Sequence, residues 1–257
     1  MKNSTKQNWE AFWESKKTVH EVYSNTDRVL RNLRSVVDLS GKKVLEIGAG
    51  TGRDSLNFVN YNAEVYQVDY AMSALKLMKE VADESGLPVR LIGGDAFHLP
   101  FADGTFDIVF HQGLLEHFRE PLATNLLKEN VRVLKRGGLL LVDVPQRYHI
   151  YTAVKHVLIA LNAWFAGWER EFSVGELESK LKNLGLSPVR CYGEWMYPSL
   201  VYRTCREALL KIGVKLPLYP KIFPPLTELR RRLRESLLQM RIALYTSLSI
   251  GVIARKP

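Results

Sequence analysis

Cysteine and long apolar runs are scarce in this chain of 257 residues. The two cysteines, Cys191 and Cys205, form no CxxC pair and no Cys/His metal-ligand pattern, which favours a reducing compartment and argues against a disulfide scaffold or a metal site. Neither of the most apolar stretches, 153–167 and 236–254, offers the roughly 20 uninterrupted apolar residues of a spanning helix. The polar N-terminus also lacks the apolar core of a signal peptide. We therefore expect a cytoplasmic protein, with a peripheral position at a membrane as the alternative.

Net charge is missing from the first three quarters of the chain. The whole sequence has 36 Lys and Arg against 27 Asp and Glu, a formal charge of +9. Residues 1–195 are neutral, whereas residues 196–257 hold 12 basic residues and 3 acidic ones. The larger part of the chain therefore gives no electrostatic reason to expect DNA or RNA as a partner, and the excess belongs to one C-terminal region.

Short apolar segments alternate with amphipathic ones from residue 42 onward. This pattern predicts strands at 42–47, 64–69, 89–93, 106–110, 139–144, 188–192 and 245–254, and helices at 53–60, 71–85, 121–134 and 173–184. Such alternation indicates an α/β fold, a three-layer doubly wound sheet of seven strands that is mostly parallel. Two stretches, at about 147–170 and 195–244, interrupt the alternation and are interpreted as helical insertions. We expect residues 1–40 to form a helical lid on a domain that spans residues 41–257.

A glycine-rich turn follows the first predicted strand. Its residues are Gly48, Ala49, Gly50, Thr51 and Gly52, a G-x-G-x-G pattern that lets a ligand approach the backbone closely. The dinucleotide fingerprint would need glycine where this chain has Arg53, and no Gly-Lys-Ser/Thr follows to make a phosphate-binding P-loop. Taken alone, the turn predicts either a ligand site or an ordinary tight turn.

Three further segments follow strands and place polar groups at the same edge of the sheet. Asp69 ends the second strand, at an interval typical of a carboxylate that reaches ribose hydroxyls, although it could equally cap the next helix. Asp95, Ala96 and Phe97 follow the third strand, and the segment from His111 to His117 follows the fourth. Parallel sheets bind their ligands at this edge.

These motifs together resemble the class I S-adenosylmethionine-dependent methyltransferases of the small-molecule type. The resemblance is carried by V-L-E-I-G-A-G-T-G at 44–52, V-D at 68–69, G-D-A at 94–96 and F-D-I-V-F-x-x-x-L-x-E-H at 106–117. It implies S-adenosyl-L-methionine as cofactor, S-adenosyl-L-homocysteine as product, and an antiparallel last strand. It also implies a set of cofactor-binding residues: Glu46, Gly48, Ala49, Gly50, Thr51, Gly52, Asp69, Tyr70, Asp95, Ala96, Phe97, His111, Gln112 and Leu115.

Methyl transfer from a sulfonium is an in-line displacement, so the protein mainly orients the acceptor and sometimes removes a proton. His111 and His117 are the candidate catalytic bases, because imidazole titrates near neutrality; the alternative is that either histidine only packs or caps. No Asn/Asp-Pro-Pro-Tyr motif follows the fourth strand, which argues against methylation of nucleic-acid bases. Methylation of oxygen, carbon or an amine nitrogen stays open.

The lid and the insertions carry the remaining signals. The lid holds Trp9, Phe12, Trp13 and Tyr23, and the apolar first insertion is interpreted either as a helix packed on the core or as a cover for an apolar substrate. Residues 226–241 form an amphipathic basic helix. We favour its packing on the domain or on a second subunit of a homodimer with its arginines in solvent; the alternative is contact with an anionic membrane. The expected acceptor is a small or lipid-like, amphiphilic molecule. The competing hypotheses are an RNA-modifying enzyme and a non-catalytic, cofactor-binding regulator.

Overall fold

A seven-stranded sheet organises the part of the chain that the structure describes. The structure is a computed structural model, and it describes residues 5–16, 22, 27–162, 164, 168–220 and 224–257, without the side chains of 200 and 224–227. The strand order is β3-β2-β1-β4-β5-β7-β6, and β7 runs antiparallel to both of its neighbours. The strands are β1 Lys43–Ile47, β2 Glu64–Asp69, β3 Val89–Gly93, β4 Phe106–Gln112, β5 Leu134–Pro145, β6 Ser187–Glu194 and β7 Ser249–Arg255. The predicted doubly wound α/β fold with its antiparallel last strand is confirmed.

Helices cover both faces of this sheet. They are α1 Lys6–Glu14, α2 Arg28–Arg34, α3 Arg53–Leu56, α4 Met72–Ser85, α5 Leu122–Val133, α6 Ile150–Ala160, α7 Val174–Asn183, α8 Leu200–Lys211, α9 Pro224–Leu238 and α10 Ala243–Thr246. The apolar sides of α5 and α7 pack on one face of the sheet. The opposite face is covered by Val29, Leu30 and Leu33 of α2 together with Phe58. Helix α2 lies in the core and therefore does not act as part of a lid.

Three predicted elements differ clearly from the observed ones. The fifth strand, expected over 139–144, runs from Leu134 to Pro145. The helix expected over 53–60 ends at Leu56 and gives way to a 3-10 turn at Val59–Tyr61, because the buried Ser55 directs both its amide and its hydroxyl to Glu46. The last strand, expected from Tyr245, begins at Ser249. The residues before it wind into α10 because Ala243 is buried there and its carbonyl accepts the amide of Ser247.

Both insertions leave the sheet at the edge where the parallel strands end. Since β6 and β5 are each antiparallel to β7, they run in the same direction, and the chain leaves both strands at the same edge. Helix α6 follows β5, while α8, α9 and α10 follow β6. The amide side chain of Gln146 donates to the carbonyl of Leu244 and ties the two insertions together there. Among the described residues, no helix is both long enough and apolar enough to cross a membrane.

Candidate functional site

The glycine-rich turn after β1 is held by a carboxylate from the next strand. Gly48, Gly50 and Gly52 all have positive φ (65°, 56° and 68°), a conformation that glycine adopts without steric cost. The amide of Gly50 donates to Asp69 Oδ2 at 3.0 Å. The backbone of the turn and the end of β2 are therefore fixed relative to each other before any ligand arrives.

Asp69 also orders the start of the helix that follows it. Its Oδ1 accepts the amide of Ala71 at 2.9 Å, one residue before α4 begins. Burial raises the pKa of Asp69, although the amide donors of Ala71 and Gly50 act in the opposite direction. The structural alternative for Asp69 therefore holds in part: the carboxylate supports the turn and the start of α4, and it also lines the cavity described below.

Glu46 and Asp54 bring two more carboxylates to the turn. Glu46 Oε2 accepts the hydroxyl of Ser55 at 2.5 Å and its amide at 3.2 Å, so it orders the segment after the turn. Burial, and secondarily the negative charge of Asp54, raises the pKa of Glu46 well above its usual value. A cationic ligand group would relieve this crowding of negative charge.

A cavity of about 310 Å³ opens beside the turn, at the edge where the strands end. That volume lies at the lower end of the range for small-molecule and cofactor sites. Most of the residues implied by the resemblance line it, namely Glu46, Gly48, Ala49, Gly50, Thr51, Asp69, Tyr70, Asp95, Ala96, Phe97 and Gln112. Asp95 shapes its own loop, because its Oδ1 accepts the amide of Phe97 at 3.0 Å. Burial raises the pKa of Tyr70, so its phenol is neutral and available as a donor.

Three predicted residues do not line the cavity. Alternation along β4 turns His111 away from it and Gln112 toward it. His111 is fully buried, and burial lowers the pKa of its ring to about 3, so it cannot serve as a base that reaches the acceptor. Leu115 points into the core while Leu114 lines the cavity, and Gly52 faces the side chain of Gln67.

Helix α1 lies over the cavity and is fastened to the start of α4. The Glu10 carboxylate accepts the amides of Met72 at 2.8 Å and Ser73 at 2.9 Å, where α4 leaves its first amides unpaired. Trp13 packs so closely on the turn that a Cβ at Gly50 would lie 2.6 Å from its ring. Lys6, Trp9 and Trp13 thereby become part of the cavity wall. Tyr23, the fourth aromatic residue predicted for the lid, lies outside the described residues.

His117 lies on the cavity wall beneath this helix. Its ring meets Trp9 edge-on, with 5.0 Å between the ring centroids. Nε2 lies 3.1 Å from the carbonyl oxygen of Gly113, which can only accept, so in the neutral ring Nε2 carries the proton. Nδ1 then carries the lone pair, and it faces Glu169 Oε1 at 3.8 Å. Burial lowers the pKa of His117, while the nearby Glu169 acts in the opposite direction.

Behind His117 lies a buried charge cluster formed by Lys155, Glu169 and Glu171. Lys155 Nζ lies 2.7 Å from Glu169 and 2.6 Å from Glu171. Trp164 Nε1 donates to Glu169 Oε1 at 2.7 Å, the same oxygen that faces His117. Burial opposes the charged form of Lys155, but the two carboxylates raise its pKa, so the lysine stays protonated. The first insertion thus supplies the charges that surround His117.

Known proteins match the same part of the chain. Residues 45–142 match a family model described as a methyltransferase domain. Over these residues, which make up less than half of the chain, it is similar to the class I S-adenosylmethionine-dependent methyltransferases. The demethylmenaquinone methyltransferase of Renibacterium salmoninarum is 36% identical over 113 residues, which are 42% of this chain and 45% of that protein. The ubiquinone biosynthesis O-methyltransferase of a Ruegeria species is 28% identical over 164 residues, 62% of this chain and 66% of that protein. The chain thus matches less than half of the first of these relatives.

Solved structures extend the likeness beyond the motifs. The magnesium protoporphyrin IX methyltransferase of Synechocystis, crystallised with bound S-adenosylhomocysteine, superposes with a TM-score of 0.59. That superposition covers 90% of this chain and 81% of the other at 16% identity, so it shows a shared fold. The shared fold therefore accounts for the seven-stranded sheet and the helices around it.

Several residues of the site carry no sequence signal of their own. Lys6, Val22, Asp54 and Phe118 line the cavity beside the predicted residues. Asp54 stands two positions after the turn and could have been inferred from that nearness. Glu169 reaches His117 only through the path of the first insertion, which no spacing rule describes.

Proposed function

We propose that this protein transfers a methyl group from S-adenosyl-L-methionine to a small acceptor, with S-adenosyl-L-homocysteine as product. The observation that carries the proposal is the cavity at the ends of β1, β2, β3 and β4, where the glycine-rich turn meets Asp69, Tyr70 and Asp95. The backbone there is already folded into a shape that admits a ligand without a Cβ in the way. The bound cofactor supplies an activated methyl group on a positively charged sulfonium.

The protein's own groups suit that charge. Glu46, Asp54, Asp69 and Asp95 line the cavity, and Lys6 is the basic residue among the described lining residues. An excess of carboxylates favours a cationic donor over its neutralised product. The Asp69 side chain fixes the turn, Asp95 fixes the loop that carries Phe97, and the turn itself approaches the amino-acid part of the donor.

Helix α1 acts as the lid of the site in this proposal. Trp9 and Trp13 close the cavity from the solvent side and leave an apolar, aromatic surface. Such a surface excludes water from the displacement and offers flat faces to a ring-shaped acceptor. The lid interpretation rests on the fastening of Glu10 to α4 rather than on the aromatic residues alone.

His117 is the proposed base, where the acceptor must lose a proton. Its ring lines the cavity, its Nδ1 lone pair has no hydrogen-bond partner among the described residues, and its lowered pKa keeps it neutral at physiological pH. Because Nδ1 is buried and faces Glu169, the ring must turn to bring this nitrogen to the acceptor, and the negative charge of Glu169 nearby then stabilises the imidazolium. Glu169 is therefore a positioning residue, and the buried Lys155 keeps its carboxylate in place.

The acceptor class is proposed from the relatives and the cavity together. The matched relatives are named for demethylmenaquinone and ubiquinone biosynthesis, and the cavity of this chain is walled by Trp9, Trp13, Phe97 and Phe118. We infer an aromatic or quinone-like ring as acceptor, with oxygen or carbon as the atom that receives the methyl group. The aromatic walls favour this over a small polar acceptor.

The test combines cofactor binding with turnover. Calorimetry with S-adenosylhomocysteine should show saturable binding that Asp95→Ala weakens. Asp83→Ala, an exposed carboxylate on α4 that pairs with Lys79, should bind as the wild type does. Turnover is then measured as formation of S-adenosylhomocysteine, with hydroxylated ring acceptors and with small polar ones. Absence of binding would refute the cofactor assignment, whereas binding with turnover only on polar acceptors would refute the acceptor class.

The two alternatives receive less support from the side chains. An RNA-modifying role would need the arginines of α9 to face a ligand, yet Arg231 and Arg232 pair with Glu228, and Arg234 pairs with Glu194. Steeply salt-dependent RNA binding would restore that hypothesis. A non-catalytic regulator would bind the cofactor analogue and give no methylated product with any ring acceptor.

A further inference from the structure

Helix α9 lies on the domain with two of its arginines, Arg230 and Arg234, turned inward, while Arg231 and Arg232 are exposed. The guanidinium of Arg230 stacks over the ring of Tyr197 at 4.2 Å, and Arg234 donates to the carbonyl of Trp195 at 2.7 Å and pairs with the buried Glu194. Residues 230 and 234 are one helical turn apart and share a face, so this face is the one in contact with the sheet. The apolar stripe is therefore not packed on the domain in the described residues, whereas Arg231 and Arg232 do lie in solvent as expected. Packing of the stripe on a second subunit stays a prediction.

The apolar stripe of α9 consequently faces water. The large side chains of this stripe, which continues two residues past the end of α9, are 45–56% exposed, and they are Leu229, Leu233, Leu237 and Met240. They recur at intervals of three and four residues and form one continuous strip. The side chain of Leu226, which the sequence adds to this stripe, lies outside the described residues. A contiguous exposed apolar strip of this kind is typical of an interaction site, whereas single exposed leucines are not.

Helix α6 of the first insertion shows the same inversion. It buries Lys155 and Ile159, and Lys155 enters the buried charge cluster. Its outward side chains are 48–77% exposed, and they are Ile150, Val154, Val157 and Leu161. These too are spaced by three and four residues. Neither alternative offered by the sequence, a packed stripe or a cover over the cavity, describes a stripe that points to solvent.

The two exposed stripes belong to the same edge of the molecule. Both insertions leave the sheet where β5 and β6 end, the edge that also holds the cavity, and the bond from Gln146 to Leu244 joins their bases. The basic excess of the protein lies in residues 196–257, which contain α8, α9 and α10. Exposed cations of this region include Lys211, Lys215 and Arg241. Apolar stripes with basic surroundings are the surface that an anionic lipid interface attracts.

We propose that the outward stripes of α6 and α9 dock the protein on an anionic bilayer, with the cavity edge toward the lipid. The leucine stripe of α9 enters the boundary between headgroups and acyl chains, while the exposed cations approach the anionic headgroups. Charge selects the lipid as occupant, because a second copy of this chain would bring the same positive excess to the contact. This inference does not depend on the proposed reaction.

Vesicle co-sedimentation tests it on the full chain. Vesicles of phosphatidylglycerol and phosphatidylcholine are compared with phosphatidylcholine alone, and the wild type should bind the anionic ones more strongly. Replacing Leu229, Leu233 and Leu237 by serine should weaken that binding by roughly tenfold or more, because interfacial binding scales with buried apolar area. Lys215→Gln with Arg241→Gln should leave the midpoint of thermal unfolding unchanged, yet should reduce the preference for anionic vesicles.

Matched controls separate docking from general surface hydrophobicity. Leu122→Ser with Val189→Ser removes apolar side chains of similar exposure on other elements and should bind vesicles as the wild type does. Equal binding of the leucine variant and the wild type would overturn the proposal. The proposal would also be overturned if light scattering showed a dimeric wild type and a monomeric leucine variant, and neither protein bound vesicles. Calorimetry with S-adenosylhomocysteine on the same variants should be unchanged, so failure of docking and failure of the cofactor assignment remain distinguishable.

Discussion

The fastening of α1 by Glu10 makes a quantitative prediction. In Glu10→Ala, α4 loses the carboxylate that accepts the amides of Met72 at 2.8 Å and Ser73 at 2.9 Å. Loss of a capping side chain costs about 1 kcal/mol, within a range of roughly 0.5–2 kcal/mol. Since about 1.4 kcal/mol is tenfold in an equilibrium constant, α1 should dock about fivefold less favourably.

This weaker docking should appear in cofactor affinity. Lys6, Trp9 and Trp13 line the cavity only while α1 is in place, so the Kd for S-adenosylhomocysteine should rise, by up to about fivefold, if the ligand requires the docked state. None of the α1 side chains, all of which the structure describes, is fully buried, so the unfolding midpoint should stay close to that of the wild type.

The assay is calorimetric titration, with thermal unfolding measured on the same samples. Glu14→Ala is the matched control, because Glu14 is an exposed carboxylate on the same helix. It should leave the Kd unchanged. Equal Kd values for Glu10→Ala and the wild type would refute the reasoning, and an equal loss in the Glu14 variant would point to helix charge rather than to the fastening.

Three further outcomes are expected. His117→Ala should lower kcat by roughly 10²-fold or more. Because burial lowers the pKa of His117, the wild-type rate should fall with acid only below pH about 6.5, the ordinary pKa of histidine. A fall in rate that begins at or above that pH would contradict this role. Lys155→Met removes the cation that Glu169 and Glu171 of the buried charge cluster share, although His156 stays 2.6 Å from Glu171, and should cost about 3–5 kcal/mol at neutral pH in denaturant titrations. Gly251→Ala would place a Cβ 2.1 Å from the ring of Tyr192 and should destabilise the sheet by about 2 kcal/mol, whereas Gly175→Ala, with open space around it, should be nearly neutral.

The proposed docking on a bilayer bears on how an acceptor would reach the cavity. The cavity and both apolar stripes share one edge of the sheet, so an acceptor dissolved in a bilayer would meet the lid helix without crossing water. The sequence places the basic charge in one region. Part of that charge holds α9 on the domain, through Arg230 and Arg234, and the rest lies on the surface.

The sequence by itself determined the sheet and most of the cavity. Buried parallel strands are recognisable in the sequence as short apolar runs. Because these strands end at the same edge of a sheet with right-handed crossovers, the glycine-rich turn, Asp69 and Asp95 come together there. These are local signals that a topological rule assembles. They need no knowledge of how any side chain packs.

Only the tertiary structure decided orientation. Whether His111 or Gln112 meets the cavity depends on the register of β4 between its neighbours, and a shift by one residue exchanges the two. The partnership of His117 with Glu169 depends on the path of an insertion. The outward turn of the leucines on α9 follows from Glu194 and Tyr197, because a buried carboxylate and an aromatic face attract arginines more strongly than the remaining surface attracts leucine. An amphipathic pattern specifies two faces of a helix, and its surroundings choose which of them is buried.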